Sequence, residues 1–336
     1  MRTLICLTAV GCILSSVAAA QWTSRSLDIQ PGARQNAMGA AGVALAGDPS
    51  DALWWNPAAL GFSKWHSVEY TRLKLLPGLA EDVIYNHVAA AVPIGTRLGL
   101  GISGTFLSYG ESIITDPSGN AIGSFTASEW CWAAAAGYRA LPDLAVGLVA
   151  KYVKIKLAPE SMSGQAGVFA FDFGGLYRKT LTPVVLGAGV NVQHIGPEVK
   201  FVNEDETSPL GRNLKVGGAV TVPMPVGASG YEVGATIAVD HNRSLVESKY
   251  HTWHYGGEIY AGYKKWVKAA VRAGYYDDPL NDTQDATYGG GIRVAGFSVD
   301  FASIPRPPVA FSLEEERLHR WTFGFHSDLL LALGAR

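Results

Sequence analysis

The sequence predicts an all-β protein: a fourteen-stranded antiparallel transmembrane β-barrel with an N-terminal hatch segment in its lumen. Three observations carry that expectation. From residue 64 onward, segments of roughly ten residues alternate between apolar and small or polar side chains. Glycine supplies 39 of 336 residues, more than a helix-rich chain tolerates. The connections between the alternating segments run long and short in turn. With 17% charged residues and a net charge of −2, the chain lacks the high charge of a disordered protein and the basic face that nucleic acid requires.

The first twenty residues have the form of a cleavable signal peptide. Arg2 is its positive start, Leu4 to Val17 its apolar stretch, and Ala18-Ala19-Ala20 the small-residue site before Gln21. Past residue 20 no apolar run is long enough for a spanning helix. Cys6 and Cys12 would leave with the signal, so Cys131 is the only thiol of the exported chain and no internal disulfide can form.

Residues 21–63 do not alternate. The stretch from Pro31 to Gly61 is rich in small residues with a few spaced polar ones. Asp48-Pro49-Ser50 has the chemistry of a turn or helix cap, and Asn56-Pro57 that of a second turn ending at Gly61. Such a segment can plug a lumen, because small side chains allow close backbone packing and a few polar groups can satisfy the wall.

Strand faces are legible from parity. Tyr231, Val233, Ala235, Ile237 and Val239 alternate with Glu232, Gly234, Thr236, Ala238 and Asp240. Trp253, Tyr255, Ile259 and Ala261 alternate with His254, Gly256, Glu258 and Tyr260; Val267, Ala269 and Val271 alternate with Lys268, Ala270 and Arg272. One face is aliphatic with aromatics toward its ends, and the other mixes glycine with charge. A soluble sandwich would show water a face of Lys, Glu and Thr. A membrane barrel turns the apolar face to lipid and the polar one to the lumen.

Strands centre near residues 68, 87, 102, 130, 150, 171, 189, 215, 235, 256, 271, 290, 300 and 324. The long connections fall at 73–81, 109–122, 158–164, 195–210, 241–250, 277–285 and 304–318, and the short ones between them. Two hairpins can be registered. A type II′ turn on Gly296-Phe297 places Arg293 opposite Asp300, and a three-residue loop over Lys264-Lys265-Trp266 places Glu258 opposite Arg272. Both pairs would face the lumen, where buried charges must be neutralised.

Other motifs are set aside. Gly99 to Gly104 matches GxGxxG but lies inside an alternating strand, not a strand–turn–helix. His251 and His254 point to opposite faces of a strand and cannot share a metal. The acidic stretches Glu204-Asp205-Glu206 and Asp277-Asp278 with Asn281, Asp282 and Asp285 lack the twelve-residue calcium-loop pattern and suit solvated outer loops. No GxSxG, HExxH or CxxC spacing occurs. The sequence therefore assigns no metal, no cofactor and no catalytic residue.

Gly32-Ala33-Arg34, Ala37-Met38-Gly39, Ala41 to Ala46, Asp48, Ala52, Asn56-Pro57-Ala58 and Leu60 form a spaced pattern. It resembles the N-terminal signature of the FadL/OMPP1 superfamily, and most closely its PorV/PorQ-like branch. Ala59 departs from the glycine usual in that signature. The resemblance implies a signal peptide at 1–20, a hatch at 21–63, and an outer-membrane β-barrel at 64–336 in a diderm bacterium. By position it makes Arg34, Met38, Gly39, Asp48, Asn56 and Pro57 hatch residues, with Arg34 and Asp48 suited to anchoring on lumen charges. It implies a non-enzymatic protein in contact with outer-membrane lipid, serving secretion or surface attachment of exported proteins together with secretion components. The alternative is FadL-like transport of hydrophobic small molecules such as long-chain fatty acids. The outer loops are short and mostly polar, which favours the first. Ile113-Ile114 and Pro307 to Phe311 are the apolar exceptions, available to a hydrophobic ligand or a partner protein.

Overall fold

The computed structural model describes residues 22–159, 164–201, 207–226, 230–264, 266–278, 283–306 and 317–327. The signal segment, the Glu204-Asp205-Glu206 stretch, Lys265, Asn281, Asp282 and the apolar stretch 307–311 lie outside them. Barrel strands are β1 (Ser67–Leu76), β2 (Ala80–Ile94), β3 (Leu98–Thr115), β4 (Ala121–Leu141), β5 (Leu144–Lys156), β6 (Gln165–Leu181) and β7 (Val184–Ile195). A small hairpin of β8 (Val199–Lys200) and β9 (Thr207–Ser208) follows. The barrel resumes with β10 (Asn213–Val226), β11 (Tyr231–Ser244), β12 (His251–Tyr263), β13 (Val267–Asp278), β14 (Thr283–Val294), β15 (Phe297–Pro305) and β16 (Arg317–His326).

These fourteen strands close one antiparallel barrel, in which β7 pairs with β10 and β1 with β16. The closing register runs from Ser67 opposite His326 to Leu73 opposite Arg320. Closure leaves the barrel wall without a free edge, as a sheet in hydrocarbon must be. Parity sorts the side chains: Ile237, Ile259 and Val271 are 64–66% exposed on the outside, while Thr236, Asp240, Glu258 and Arg272 are buried inside. A water-soluble core would reverse that arrangement.

Three local expectations need correction. The connection expected at 73–81 is a three-residue turn, with β1 running to Leu76 and β2 starting at Ala80. The one expected at 109–122 shrinks to 116–120, because β3 and β4 continue as a ribbon past a bulge at Gly110 (φ 85°). Ile113 and Ile114 therefore lie on a strand and not in a loop. In both ribbons backbone pairing continues past the stretch of regular apolar alternation.

The third concerns the turn between β14 and β15. Its central residues are Ala295 (φ 50°) and Gly296 (φ 89°), the positive pair of a type I′ turn, and Val294 faces Phe297. Arg293 is thus opposite Ser298, and Asp300 opposite Gly291. The sequence alone favoured glycine in the first central position; the strand twist is matched here with glycine in the second. The two-residue shift in pairing preserves the face of each side chain, so Arg293 and Asp300 still look inward. At the other registered hairpin, Tyr263 faces Val267 and Glu258 faces Arg272.

Inside the barrel sit α1 (Arg25–Asp28), α2 (Ala33–Ala37), α3 (Ala52–Trp55) and a 3-10 turn over Pro57–Phe62. None is long enough to be stable alone; each takes its shape from the wall around it. No described helix is long and apolar enough to cross a membrane.

Candidate functional site: the hatch and its seat in the lumen

The hatch meets the wall in two ways. Along β3 to β6, its 3-10 turn lies almost on the strand backbone. A Cβ added at Gly137 would sit 2.4 Å from the Pro57 carbonyl oxygen, and one at Gly147 2.3 Å from the Pro57 carbonyl carbon. Across the lumen, the backbone of Met38 and Gly39 is seated likewise on Gly256 of β12 and Gly274 of β13. The inward glycines are therefore a mould: only a residue without a side chain lets two backbones approach this closely.

Asn56 locks the turn. Its side-chain carbonyl accepts from Ala58 N at 3.1 Å, and its amide donates to the carbonyls of Val43 (2.8 Å) and Gly175 (3.0 Å). Pro57 opens the 3-10 turn, where its missing N–H costs nothing. Met38 is fully buried among Ala41, Ala44, Ala219 and Ala238. Gly39 adopts φ 66° and donates its N–H to Thr287 Oγ1 at 2.8 Å.

The second mode is ionic, along β12 to β16. Arg34 grips Glu258 with two bonds, Nε at 3.0 Å and Nη2 at 2.8 Å. Glu258 also accepts from Arg272 Nε at 2.6 Å, and Arg272 Nη1 reaches Asp300 at 2.5 Å. Gly291 leaves the space that the Asp300 carboxylate occupies. Arg293 does not pair with Asp300; its Nη2 donates to both oxygens of Asp48, 2.8 Å each, on the hatch. Asp48 also lies 3.2 Å from His326 Nδ1. Forked guanidinium–carboxylate contacts in a shielded lumen are the strong class of ion pair.

Burial opposes the charge on Arg34, but the Glu258 carboxylate outweighs it and holds the guanidinium more firmly protonated than usual. Burial likewise opposes ionisation of Asp48, and Arg293 overrides it, keeping the carboxyl well below its ordinary range. Asp51 goes the other way: burial, then the neighbouring Asp48 charge, push it up to about 6, against the 2.7 Å bond it accepts from Gln35.

Further wall residues that hold the hatch were not singled out from the sequence. Asp240 accepts from the N–H groups of Gly42 (2.7 Å) and Val43 (2.8 Å). His254 Nδ1 is 2.7 Å from the Gly39 carbonyl oxygen, and Lys215 Nζ lies 4.3 Å from the Trp54 ring centroid. Their inward parity was legible, but their partners lie 161 to 215 residues away in sequence and carry no local signal. Among the described residues, two cavities bear on function. One, of about 410 Å³, is a vestibule at the short-turn end lined by charged groups including Arg34, Asp48, Arg178, Glu232 and Lys268. The other, about 510 Å³, is an apolar groove on the outer wall between Val88, Ile102, Trp132, Tyr152 and Phe169.

A closed barrel with an aliphatic exterior and a polar lumen filled by its own N-terminal segment defines an outer-membrane β-barrel with a hatch. Over residues 20–229 the sequence matches the family described as "Type IX secretion system protein PorV", and the chain belongs to that family. No curated protein matches the chain in sequence. Among solved structures it is similar to the CymD monoaromatic hydrocarbon channel, at 13% identity and TM-score 0.51 over 88% of this chain and 96% of that one. A Pseudomonas aeruginosa FadL homologue matches at 10% identity and TM-score 0.47, over 92% of this chain and all of the other. The Pseudomonas putida toluene transporter TodX matches at 14% identity and TM-score 0.44, over 88% and 96%. At such identities the likeness to CymD is one of fold, and the family places the protein in the outer membrane.

Proposed function

We propose that the protein is a non-enzymatic outer-membrane component of type IX-like secretion, helping exported proteins reach or attach to the cell surface. In this reading residues 21–63 form a hatch anchored through Arg34 and Asp48, and the barrel begins at residue 64. Membership of the PorV family supports it. The observation that carries it is the seating of the hatch: glycine-lined close contacts on two sides and ion pairs on a third fill the bore. The remaining vestibule is charged, unsuited to an apolar solute. Its partners are then lipid on the outside and secretion components or exported proteins at the two rims.

A second reading, FadL-like passage of hydrophobic small molecules such as long-chain fatty acids, is favoured by one observation, the apolar groove on the outer wall. Deleting the gene and measuring the surface proteome alongside uptake of a labelled fatty acid separates the two. Loss of surface proteins with normal uptake is the expected result. Normal surface proteins with lost uptake would transfer the assignment to transport.

A further inference from the structure

We propose that Asp48, Glu69 and His326 form a divalent-metal site tying the hatch to the seam where the barrel closes. The proposal does not depend on the secretion role. One carboxylate oxygen from each acid and one ring nitrogen of the histidine lie within 4.8 Å of one another. Asp48 belongs to the hatch, Glu69 to the first strand and His326 to the last. A shared ion would therefore fasten three pieces of chain that no local sequence element joins.

His326 supplies the observation that points to a ligand. The residue is fully buried, and its Nε2 is 2.9 Å from Ser298 Oγ. Its Nδ1 is buried without a hydrogen-bond partner, although Asp48 Oδ1 is only 3.2 Å away. The oxygen is close but off the axis along which that nitrogen would donate. Ser298 Oγ can donate to Nε2 or accept from it; in the tautomer that carries its proton on Nε2, Nδ1 turns a bare lone pair toward the Asp48 carboxylate. A cation between them removes the repulsion, and the Nε2–H bond is the outer-shell support that metal-bound imidazoles use. The spacing fits as well. Tetrahedral ligands at about 2.0–2.1 Å from zinc stand roughly 3.3 Å apart, close to the Asp48–His326 separation, so only Glu69 has to rotate inward.

Charge and space agree. The carboxyl groups of Asp48, Asp51, Glu69, Glu258 and Asp300 share this region with the guanidinium groups of Arg34, Arg272 and Arg293 and the ammonium of Lys268, so acids outnumber bases by one before His326 is counted. Arg293 engages Asp48, but a carboxylate has about four lone-pair positions and can hold a metal as well. Gly324 keeps the pocket open, since a Cβ there would come 2.8 Å from His326 Nε2 and 3.3 Å from Glu69 Cγ. Asp48 also lines the charged vestibule, which provides the ion a path from solvent. One imidazole with two carboxylates suits Zn²⁺ or another first-row divalent ion better than calcium or magnesium.

The test uses the untagged full-length protein in detergent, stripped with a chelator and titrated with ZnCl₂ by calorimetry. One Zn²⁺ per chain is expected. His326→Gln and Glu69→Gln should each weaken binding by more than the about 10-fold typical of losing an outer-shell partner, and Ser298→Ala by roughly that amount. Absence of saturable binding to the wild type would overturn the site. So would unchanged affinity in His326→Gln and Glu69→Gln variants that keep the folded barrel's circular dichroism. If neither variant folds, Co²⁺ bound to the wild type decides: ligand-field bands of a protein-held ion support the site, and the spectrum of the free aqua ion refutes it.

Discussion

Two sides of the hatch, the Pro57 turn and the Arg34–Asp48 edge, are held by different physics. Around Pro57 the contact is backbone against backbone across glycines of β4 and β5, fixed by excluded volume. Around Arg34 and Asp48 the contact is charge against charge on β12 and β14, fixed by Coulomb attraction in a shielded space. A steric seat cannot be loosened by solvent and fails only when atoms are added. An ionic seat tolerates small shifts, but leaves buried charge behind when one partner is lost. The hatch therefore has a rigid edge and an edge that chemistry can reach.

Five substitutions break or sharpen that contrast. The largest effect belongs to the steric edge. Gly147→Val drives a Cβ into Pro57 and should abolish the folded, heat-modifiable barrel or destabilise it by more than about 4 kcal/mol. Gly218→Val, on the outer face with its nearest contact at 3.8 Å, should leave folding intact. Equal tolerance of the two would refute the mould. On the ionic edge, Glu258→Ala strands Arg34 and Arg272 together. A loss of about 3–5 kcal/mol in denaturant unfolding is expected, with faster proteolysis of the hatch. Asn56→Ala removes one cap and two bonds to carbonyls but no bulk. It should cost about 1–3 kcal/mol, read as a lower melting temperature with an unchanged barrel signature. The smallest effect is at the rim, where Lys74 pairs with Glu81 in full solvent. Lys74→Ala should leave the melting temperature essentially unchanged, and a measurable drop would show that the rim bears load.

Particular residues show how far the sequence reaches. Val233, Ile237, Ile259 and Val271 announce their outward face by parity alone, because lipid imposes the same demand at every turn of the pleat. The three-residue loop at Lys264–Trp266 similarly dictates that Glu258 faces Arg272, a relation spanning 14 residues. Arg293 marks the limit. Its inward direction is legible, yet its partner Asp48 lies 245 residues away, and the neighbouring turn takes type I′ geometry where II′ also fits the residues. The ribbon of β3 and β4 escaped for a related reason: its strand pairing persists past a bulge without a regular apolar alternation to betray it.

Local chemistry alone thus determined the alternating cores of the barrel strands and their faces, and marked a non-alternating segment suited to a plug, since alternation and turn residues act over a few positions. Only the tertiary structure decided which charge meets which. It also decided which glycines carry the hatch, and that Asp48, Glu69 and His326 converge at the seam. Those relations arise when closure brings the first strand against the last around a segment that precedes both, a proximity that no spacing along the chain encodes.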